Sequence, residues 1–282
     1  NQFSQPITQI ASLLNTIQST VASAERVFEV LDEEEMSDEP SGLPVEESDY
    51  KVRFDHVQFG YTPDNLLMTD FNLDVKAGEM VAIVGPTGAG KTTLINLLER
   101  FYDVSGGSIR YDGRDTRDLT RDELRSNISM VLQDTWLFTG SIYDNIHYGN
   151  DKATKEQVIE AAKAAHVDDF VRKLPDGYDT VLNEEASNIS QGQRQLITIA
   201  RAFLADPDVL ILDEATSSVD TRTEILIQKA MNKLLENRTS FVVAHRLSTI
   251  RDADNIIVMN HGSIVETGNH DTLMAKNGFY AD

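Results

Sequence analysis

The opening segment of the chain carries apolar residues at steps of three and four. Between residues 6 and 31 they are Ile7, Ile10, Leu13, Leu14, Ile17, Val21, Val27, Phe28 and Leu31. This spacing predicts an amphipathic helix, which either packs on its own domain or has lost the partner of its apolar face; we favour the second interpretation. Residues 32–49 are rich in Asp, Glu, Ser, Gly and Pro, which is typical of a solvated linker. A domain boundary is therefore expected near residue 50.

Beyond residue 50 the pattern changes to short strands separated by helical stretches. Residues 52–61 and 66–75 alternate in polarity, and residues 79–84 form a continuous apolar strand of the kind that is buried on both faces. Further apolar strands are predicted at 128–132, 209–212, 241–244 and 256–259. Strands that alternate with helices favour a parallel-sheet α/β core. Residues 154–174 are expected to be almost uninterrupted helix, within a helical insertion of about 134–190.

Composition narrows the class of partner. Lys and Arg number 25 against 46 Asp and Glu, which gives a formal net charge of −21 and a field that repels nucleic-acid phosphates. The chain has no cysteine, so disulfides and thiolate metal sites are excluded. No run of about 18 apolar residues occurs, so the sequence predicts no bilayer-spanning segment.

A phosphate-binding pattern, G-x-x-x-x-G-K-[ST], follows directly after the strand that ends at Val84. It consists of Gly85, Pro86, Thr87, Gly88, Ala89, Gly90, Lys91 and Thr92, and a helical run begins at Thr93. In such a loop the glycines let backbone N–H groups close around phosphate oxygens, and the helix N-terminus adds its positive dipole end. Lys91 is expected to reach the outer phosphates, and the Thr92 hydroxyl to bind Mg²⁺.

Two carboxylates end the apolar strand at 209–212. Asp213 and Glu214 stand where a doubly wound sheet places its ligand site. Asp213 is expected to hold Mg²⁺ directly or through water, and Glu214 to orient or deprotonate an attacking water. An acidic pair alone is weak support, but together with the phosphate loop it predicts nucleotide hydrolysis.

A third motif, Ser190-Gln191-Gly192-Gln193, opens another apolar helical run. Ser190 and Gln193 fit a capping box, so this motif by itself indicates only a well-capped helix. Together with the phosphate loop and the acidic strand end, it resembles the Leu-Ser-Gly-Gly-Gln signature of ATP-binding-cassette (ABC) ATPases. The resemblance covers about residues 51–282. It implies a P-loop α/β core with an antiparallel β-subdomain and a helical subdomain, which binds ATP and Mg²⁺.

The resemblance also assigns roles to single residues. Tyr61 matches the aromatic residue that stacks on adenine, although an exposed strand aromatic would look the same. Gln133 matches the glutamine that contacts Mg²⁺ and the attacking water. His245 matches the histidine that contacts the γ-phosphate, and residues 217–220 match a loop along the interface between two such domains. In the family each ATP lies between the phosphate loop of one domain and the signature of another, so residues 190–193 are expected to bind the nucleotide held by the partner domain.

Less specific features indicate the exporter subclass. Residues 133–146 resemble the exporter segment under the membrane domain, and residues 183–187 match an acidic loop there. Residues 1–35 are similar to the cytoplasmic end of the last transmembrane helix, which leaves 36–50 as linker. The resemblance therefore implies ATP hydrolysis that powers export, at the cytoplasmic face of the plasma membrane, with a transmembrane domain of the same polypeptide as partner.

One signature position departs from the family pattern. Gln191 stands where most relatives have Gly, as in one half of some bacterial heterodimeric exporters, so a different sister subunit is the expected second ATPase domain. Two alternatives stay open. A soluble ABC ATPase that acts on nucleic acid or ribosomes is disfavoured by the charge, and a nucleotide-binding regulatory module that does not hydrolyse ATP is disfavoured by Glu214 and His245.

Overall fold

The computed structural model describes residues 3–33, 35, 40–62, 64–132, 135–183, 186–213 and 219–281. The chain forms two compact units, Asn1–Glu39 and Pro40–Asp282. Two residues expected to take part in catalysis, Gln133 and Glu214, lie outside the described residues, as do positions 184, 185, 217 and 218 of the expected interface loops.

The first unit contains one long helix, α1 (Ser4–Leu31). Pro6 stands in its first turn, where the missing N–H removes no intrahelical hydrogen bond. The predicted apolar stripe is present along this helix, and none of its residues is buried. Across the described residues, no helix combines the length and the apolar character that a membrane crossing requires.

The second unit is built from twelve strands and nine further helices of the described residues. Its strands are β1 (Tyr50–Phe59), β2 (Met68–Lys76), β3 (Met80–Val84), β4 (Gly106–Tyr111), β5 (Arg114–Asp115), β6 (Ile128–Val131), β7 (Gly140–Ser141), β8 (Val181–Leu182), β9 (Val209–Asp213), β10 (Thr239–Val243), β11 (Asn255–Asn260) and β12 (Ser263–Gly268). Its helices are α2 (Lys91–Leu98), α3 (Arg121–Ser126), α4 (Ile142–His147), α5 (Lys155–Ala164), α6 (Asp168–Val171), α7 (Gln191–Ala205), α8 (Thr221–Leu235), α9 (Leu247–Asp252) and α10 (His270–Lys276).

A six-stranded sheet forms the centre, in the order β12-β11-β3-β10-β9-β6. Strands β11, β3, β10, β9 and β6 are parallel, and β12 joins the edge antiparallel. As predicted, β3 is buried on both faces, since Val81 and Ile83 pack in one apolar cluster and Ala82 packs in the other. This burial fixes the carboxyl end of β3, from which the phosphate loop starts.

The predicted antiparallel β-subdomain is confirmed as a sheet in the order β2-β1-β4-β5. Strands β4 and β5 of this sheet and its N-terminal flank were not predicted. Strand β4 begins with two glycines, which are depleted in strands. Arg110 on β4 donates to the Pro44 carbonyl and pairs with Glu46 at 3.2 Å, and Ser41 donates to Asp118. The second unit therefore begins at Pro40, ahead of the boundary expected near residue 50.

The expectation of one nearly continuous helix over 154–174 is wrong. Helix α5 ends at Ala164, and α6 covers only Asp168–Val171. The helix is interrupted at His166, whose φ of 58° lies in the left-handed region and cannot continue an α-helix. The apolar spacing remains helical across this kink, which is why the sequence pattern did not reveal it.

The helical region is tied together by two polar residues, Asn145 and Arg201. Asn145 on α4 is fully buried. Its side-chain oxygen accepts from the Phe138 N–H, and its side-chain NH₂ donates to the carbonyls of Phe138 and Ser141. Arg201 on α7 donates to the Asn145 side chain at 2.7 Å and to the Trp136 carbonyl at 2.8 Å. Residues 136–145 are therefore held on the helix that the signature motif opens.

Candidate functional site

The phosphate loop lies between buried β3 and the first turn of α2. Its middle residues, Pro86, Thr87 and Gly88, are exposed, whereas Ala89 and Gly90 are buried. Gly90 caps α2 with a φ of 102°, and the Leu94 N–H donates to its carbonyl. Helix α2 thus begins directly after an exposed loop, and a helix N-terminus in that position attracts an anion.

The glycines of this loop meet different surroundings. A side chain on Gly85 would collide with the carbonyl of Met259 on β11, so this glycine permits close packing of the loop on the sheet. Gly88 has a φ of 81°, and a Cβ there would meet no atom within 4 Å. Gly88 therefore supplies the backbone conformation, and the space beside it is open.

Lys91 folds back over the loop. Its ammonium donates to the carbonyls of Gly85 at 2.6 Å and Pro86 at 3.0 Å. Partial burial lowers the pKa of Lys91, and the charge of Asp213 partly opposes that shift. A partly desolvated ammonium whose hydrogen bonds to described residues go to neutral carbonyls would gain charge-assisted hydrogen bonds from a phosphate, which favours anion binding here.

Parallel pairing brings Asp213 and His245 to the same sheet edge as the loop. Val243 of β10 lies opposite Ile83 of β3 on one side and opposite Asp213 of β9 on the other. His245 follows two residues later, and its Nε2 lies 3.9 Å from the Asp213 carboxylate. Three segments that are far apart in the sequence thus converge at the carboxyl ends of the central strands, as predicted.

Two of the expected Mg²⁺ ligands are described by the structure, and their side chains suit the ion. Thr92 offers an exposed hydroxyl in the first turn of α2, and Asp213 offers a half-buried carboxylate. Hard oxygen ligands of this kind, completed by water and phosphate oxygens, are those that Mg²⁺ prefers. The third expected ligand, Gln133, is outside the described residues, so the structure brings together only two of the three.

Tyr61 is held in a preformed aromatic cluster beside the P-loop helix. Its ring meets Phe59 at 5.1 Å and Tyr102 at 5.3 Å, both edge-to-face. Its hydroxyl is 2.9 Å from the hydroxyl of Thr93, which is buried on α2. More than half of the Tyr61 surface remains exposed, so a flat ring is available next to the phosphate loop. The sequence did not identify Tyr102, and the Tyr61–Thr93 contact had no sequence signal.

The signature motif forms the capped start of α7. The Ser190 hydroxyl accepts from the Gln193 N–H, and the Gln193 side chain accepts from the Ser190 N–H. Gln191 is exposed, whereas Gly192 packs so tightly on α8 that a side chain there would collide with Thr223. Within the part of the chain that the structure describes, no hydrogen bond or ion pair joins this motif to the phosphate loop.

Comparison with known proteins agrees with this geometry. The family described as ABC transporter matches residues 68–217. The chain is 58% identical over 280 residues to the fatty acid ABC transporter ATP-binding/permease protein of Mycobacterium bovis, covering 99% of this chain and 44% of that protein. It is 49% identical over 276 residues to the ATP-dependent lipid A-core flippase of Desulfotalea psychrophila, covering 98% and 48%.

A solved structure is also similar. A bacterial Atm1-family ABC exporter with ATP bound superposes with a TM-score of 0.81 at 40% identity, covering 99% of this chain and 49% of that one. This chain thus spans about half the length of the curated relatives it matches.

Proposed function

The chain belongs to the ABC transporter family, and from that premise we propose that it hydrolyses ATP to power export by a larger membrane protein. The observation that carries this proposal is the convergence of Lys91, Asp213 and His245 at one edge of the central sheet. The sequence places Glu214 directly after Asp213. The binding groups and His245, a group able to act on water, thereby lie at the sheet edge that carries the phosphate loop.

The proposed chemistry is in-line attack of water on the γ-phosphate. The loop N–H groups and the α2 N-terminus bind the phosphates, and Lys91 stabilises the charge that develops on them. Glu214 orients or deprotonates the water, and His245 positions it against the phosphate. Thr92, Gln133 and Asp213 would hold Mg²⁺, which would neutralise part of the phosphate charge when bound.

Tyr61 and the signature complete the proposed nucleotide site. The exposed face of Tyr61 stacks on the adenine ring. Residues Ser190, Gln191, Gly192 and Gln193 bind the nucleotide held by the partner domain. Among the described residues no hydrogen bond or ion pair joins this motif to the phosphate loop of its own chain, which supports a site that two domains share.

A groove beside the helical region of the second unit supports attachment to a membrane domain. It has a volume of about 960 Å³ and is lined by Trp136, Tyr148, Arg125 and Arg201 among other residues. Trp136 and Tyr148 are both exposed, which is typical of a surface that another protein covers. We place this contact at the cytoplasmic face of the plasma membrane, with the membrane domain of the same polypeptide.

The decisive experiment compares wild type with Glu214→Gln in the assembled transporter. The variant is expected to lose ATP turnover by about 10²-fold or more and to retain ATP binding, because the phosphate contacts rest on the loop around Lys91. Turnover within about threefold of wild type would remove Glu214 from this role. Wild type that binds ATP without turnover in the assembled protein would favour the regulatory module, and stimulation by RNA would favour the soluble alternative.

A further inference from the structure

The turn between β11 and β12 touches the phosphate loop. Its two residues, His261 and Gly262, have φ values of 45° and 75°, and Asn260 and Ser263 close the hairpin as a pair. Positive φ at both positions is the geometry of a tight two-residue hairpin turn. The hairpin uses the backbone groups of the closing pair, so the Gly262 N–H has no partner within the turn itself.

That N–H is used by the phosphate loop. The Gly262 N–H donates to the Ala89 carbonyl at 2.9 Å. On the same side, a Cβ built on Gly90 would lie 3.3 Å from the Gly262 Cα. The turn therefore packs against Ala89 and Gly90, the two buried residues of the loop that precede Lys91.

The opposite side of the turn contacts the segment next to the aromatic platform, by which we mean the exposed ring of Tyr61 with Phe59 and Tyr102 against it. A Cβ on Gly262 would collide with the carbonyl of Leu67. The Leu67 N–H in turn donates to the Phe59 carbonyl at 2.8 Å, which closes the loop that contains Tyr61. One glycine is thus inserted between the phosphate loop and the base of the Tyr61 loop.

We propose that the His261–Gly262 turn is a positioning element that sets the spacing between the Tyr61 platform and the phosphate loop. This inference rests on the proposed function, because the spacing matters only when one nucleotide contacts both parts. In this proposal Gly262 acts on the site through Ala89 and Leu67 and not by binding the nucleotide itself. A larger residue at this position must separate the two parts, since both of its contacts are backbone atoms that cannot rotate away.

The test substitution is Gly262→Ala, with Gly78→Ala as the matched control. Gly78 has a φ of 78°, close to that of Gly262, and a Cβ there meets nothing within 4 Å. It precedes β3, at the edge of the sheet opposite the phosphate loop. Both variants carry the same backbone strain, so the difference between them reports the contact with Leu67 and the loop.

The affinities of the 282-residue chain for MgATP and for inorganic triphosphate are measured by calorimetry. Gly262→Ala must shift the turn by roughly 1 Å, and a misplacement of that size can reduce function by about 10²-fold. We expect MgATP affinity to fall about 10- to 100-fold, and triphosphate affinity by clearly less. Gly78→Ala is expected to bind both like wild type at a similar loss of stability.

Equal losses for MgATP and triphosphate, or no loss relative to Gly78→Ala, would overturn the spacing role. Failure of wild type to bind MgATP would instead refute the proposed function. If Gly262→Ala does not fold, hydrogen exchange of the wild-type chain tests the contact between Gly262 and Ala89 instead. The Gly262 amide is expected to be protected about 100-fold or more by Ala89, and exchange at the rate of an open turn would refute the contact on which the proposal rests.

Discussion

Removal of the aromatic platform tests how this chain binds the nucleotide base. In the structure Tyr61 is held by side chains of its own chain, since Phe59 and Tyr102 meet its ring edge-on and its hydroxyl bonds the hydroxyl of Thr93. Tyr61→Ala removes the exposed ring and keeps the backbone of the loop. Because the platform is already ordered, little of the stacking energy should be spent on ordering the side chain.

The magnitude follows from base stacking. Loss of one stacked aromatic ring costs about 1–3 kcal/mol, which corresponds to a Kd that is about 5- to 150-fold weaker. ATP and GTP are expected to lose affinity equally, because stacking uses the face of the base and reads neither purine's edge. Tyr61→Phe is expected to stay within about twofold of wild type, since the contact with Thr93 exists before and after binding and cancels in the binding equilibrium.

The assay is calorimetric titration of the chain with MgATP and MgGTP. Tyr148→Ala is the control, because Tyr148 is an exposed aromatic residue on the groove beside Arg201 and has no contact with the phosphate loop. Unchanged affinity of Tyr61→Ala for both nucleotides would show that Tyr61 is only a surface aromatic. A loss confined to ATP would refute stacking and indicate recognition of the base edge.

Three further predictions concern pH, packing and pairing. Burial raises the pKa of Glu99 from 4.5 to about 7, so its contribution to stability is present below pH 4.5 and is lost as pH rises through about 7. The free energy of unfolding in urea should therefore be measured for Glu99→Gln and wild type at pH 5 and at pH 8. The difference between the two proteins should shift in favour of the variant at pH 8, and a difference that does not change with pH would contradict this. Asn145→Ala should lower the free energy of unfolding by about 2–4 kcal/mol, because it removes the side-chain partner of the Phe138 backbone groups and of one Arg201 N–H group; a loss under about 1 kcal/mol would contradict it. Because Gln191 alters the signature, the Glu214→Gln chain with MgATP should sediment mainly as a monomer, and a stable homodimer would argue against a sister subunit.

The sequence by itself determined the parts of this protein that are local in the chain. The phosphate loop could be predicted because one continuous stretch contains the buried strand, the glycines and the helix start that phosphate binding needs. The parallel core was predictable because a strand buried on both faces is apolar at every position, as in β3. The convergence of Asp213 and His245 followed from that topology, since Asp213 is the last residue of one parallel strand and His245 lies two residues beyond the end of another.

The tertiary structure alone decided the contacts that connect distant segments. Tyr61 and Thr93 are 32 residues apart, and Asn145 and Arg201 are 56 residues apart. No periodicity marks such pairs, because a single hydrogen bond depends on the final packing of both segments. The same holds for Gly262, which in the sequence is an ordinary turn glycine. Its role depends on the Ala89 carbonyl and the Leu67 backbone, which lie within reach only after both sheets have folded.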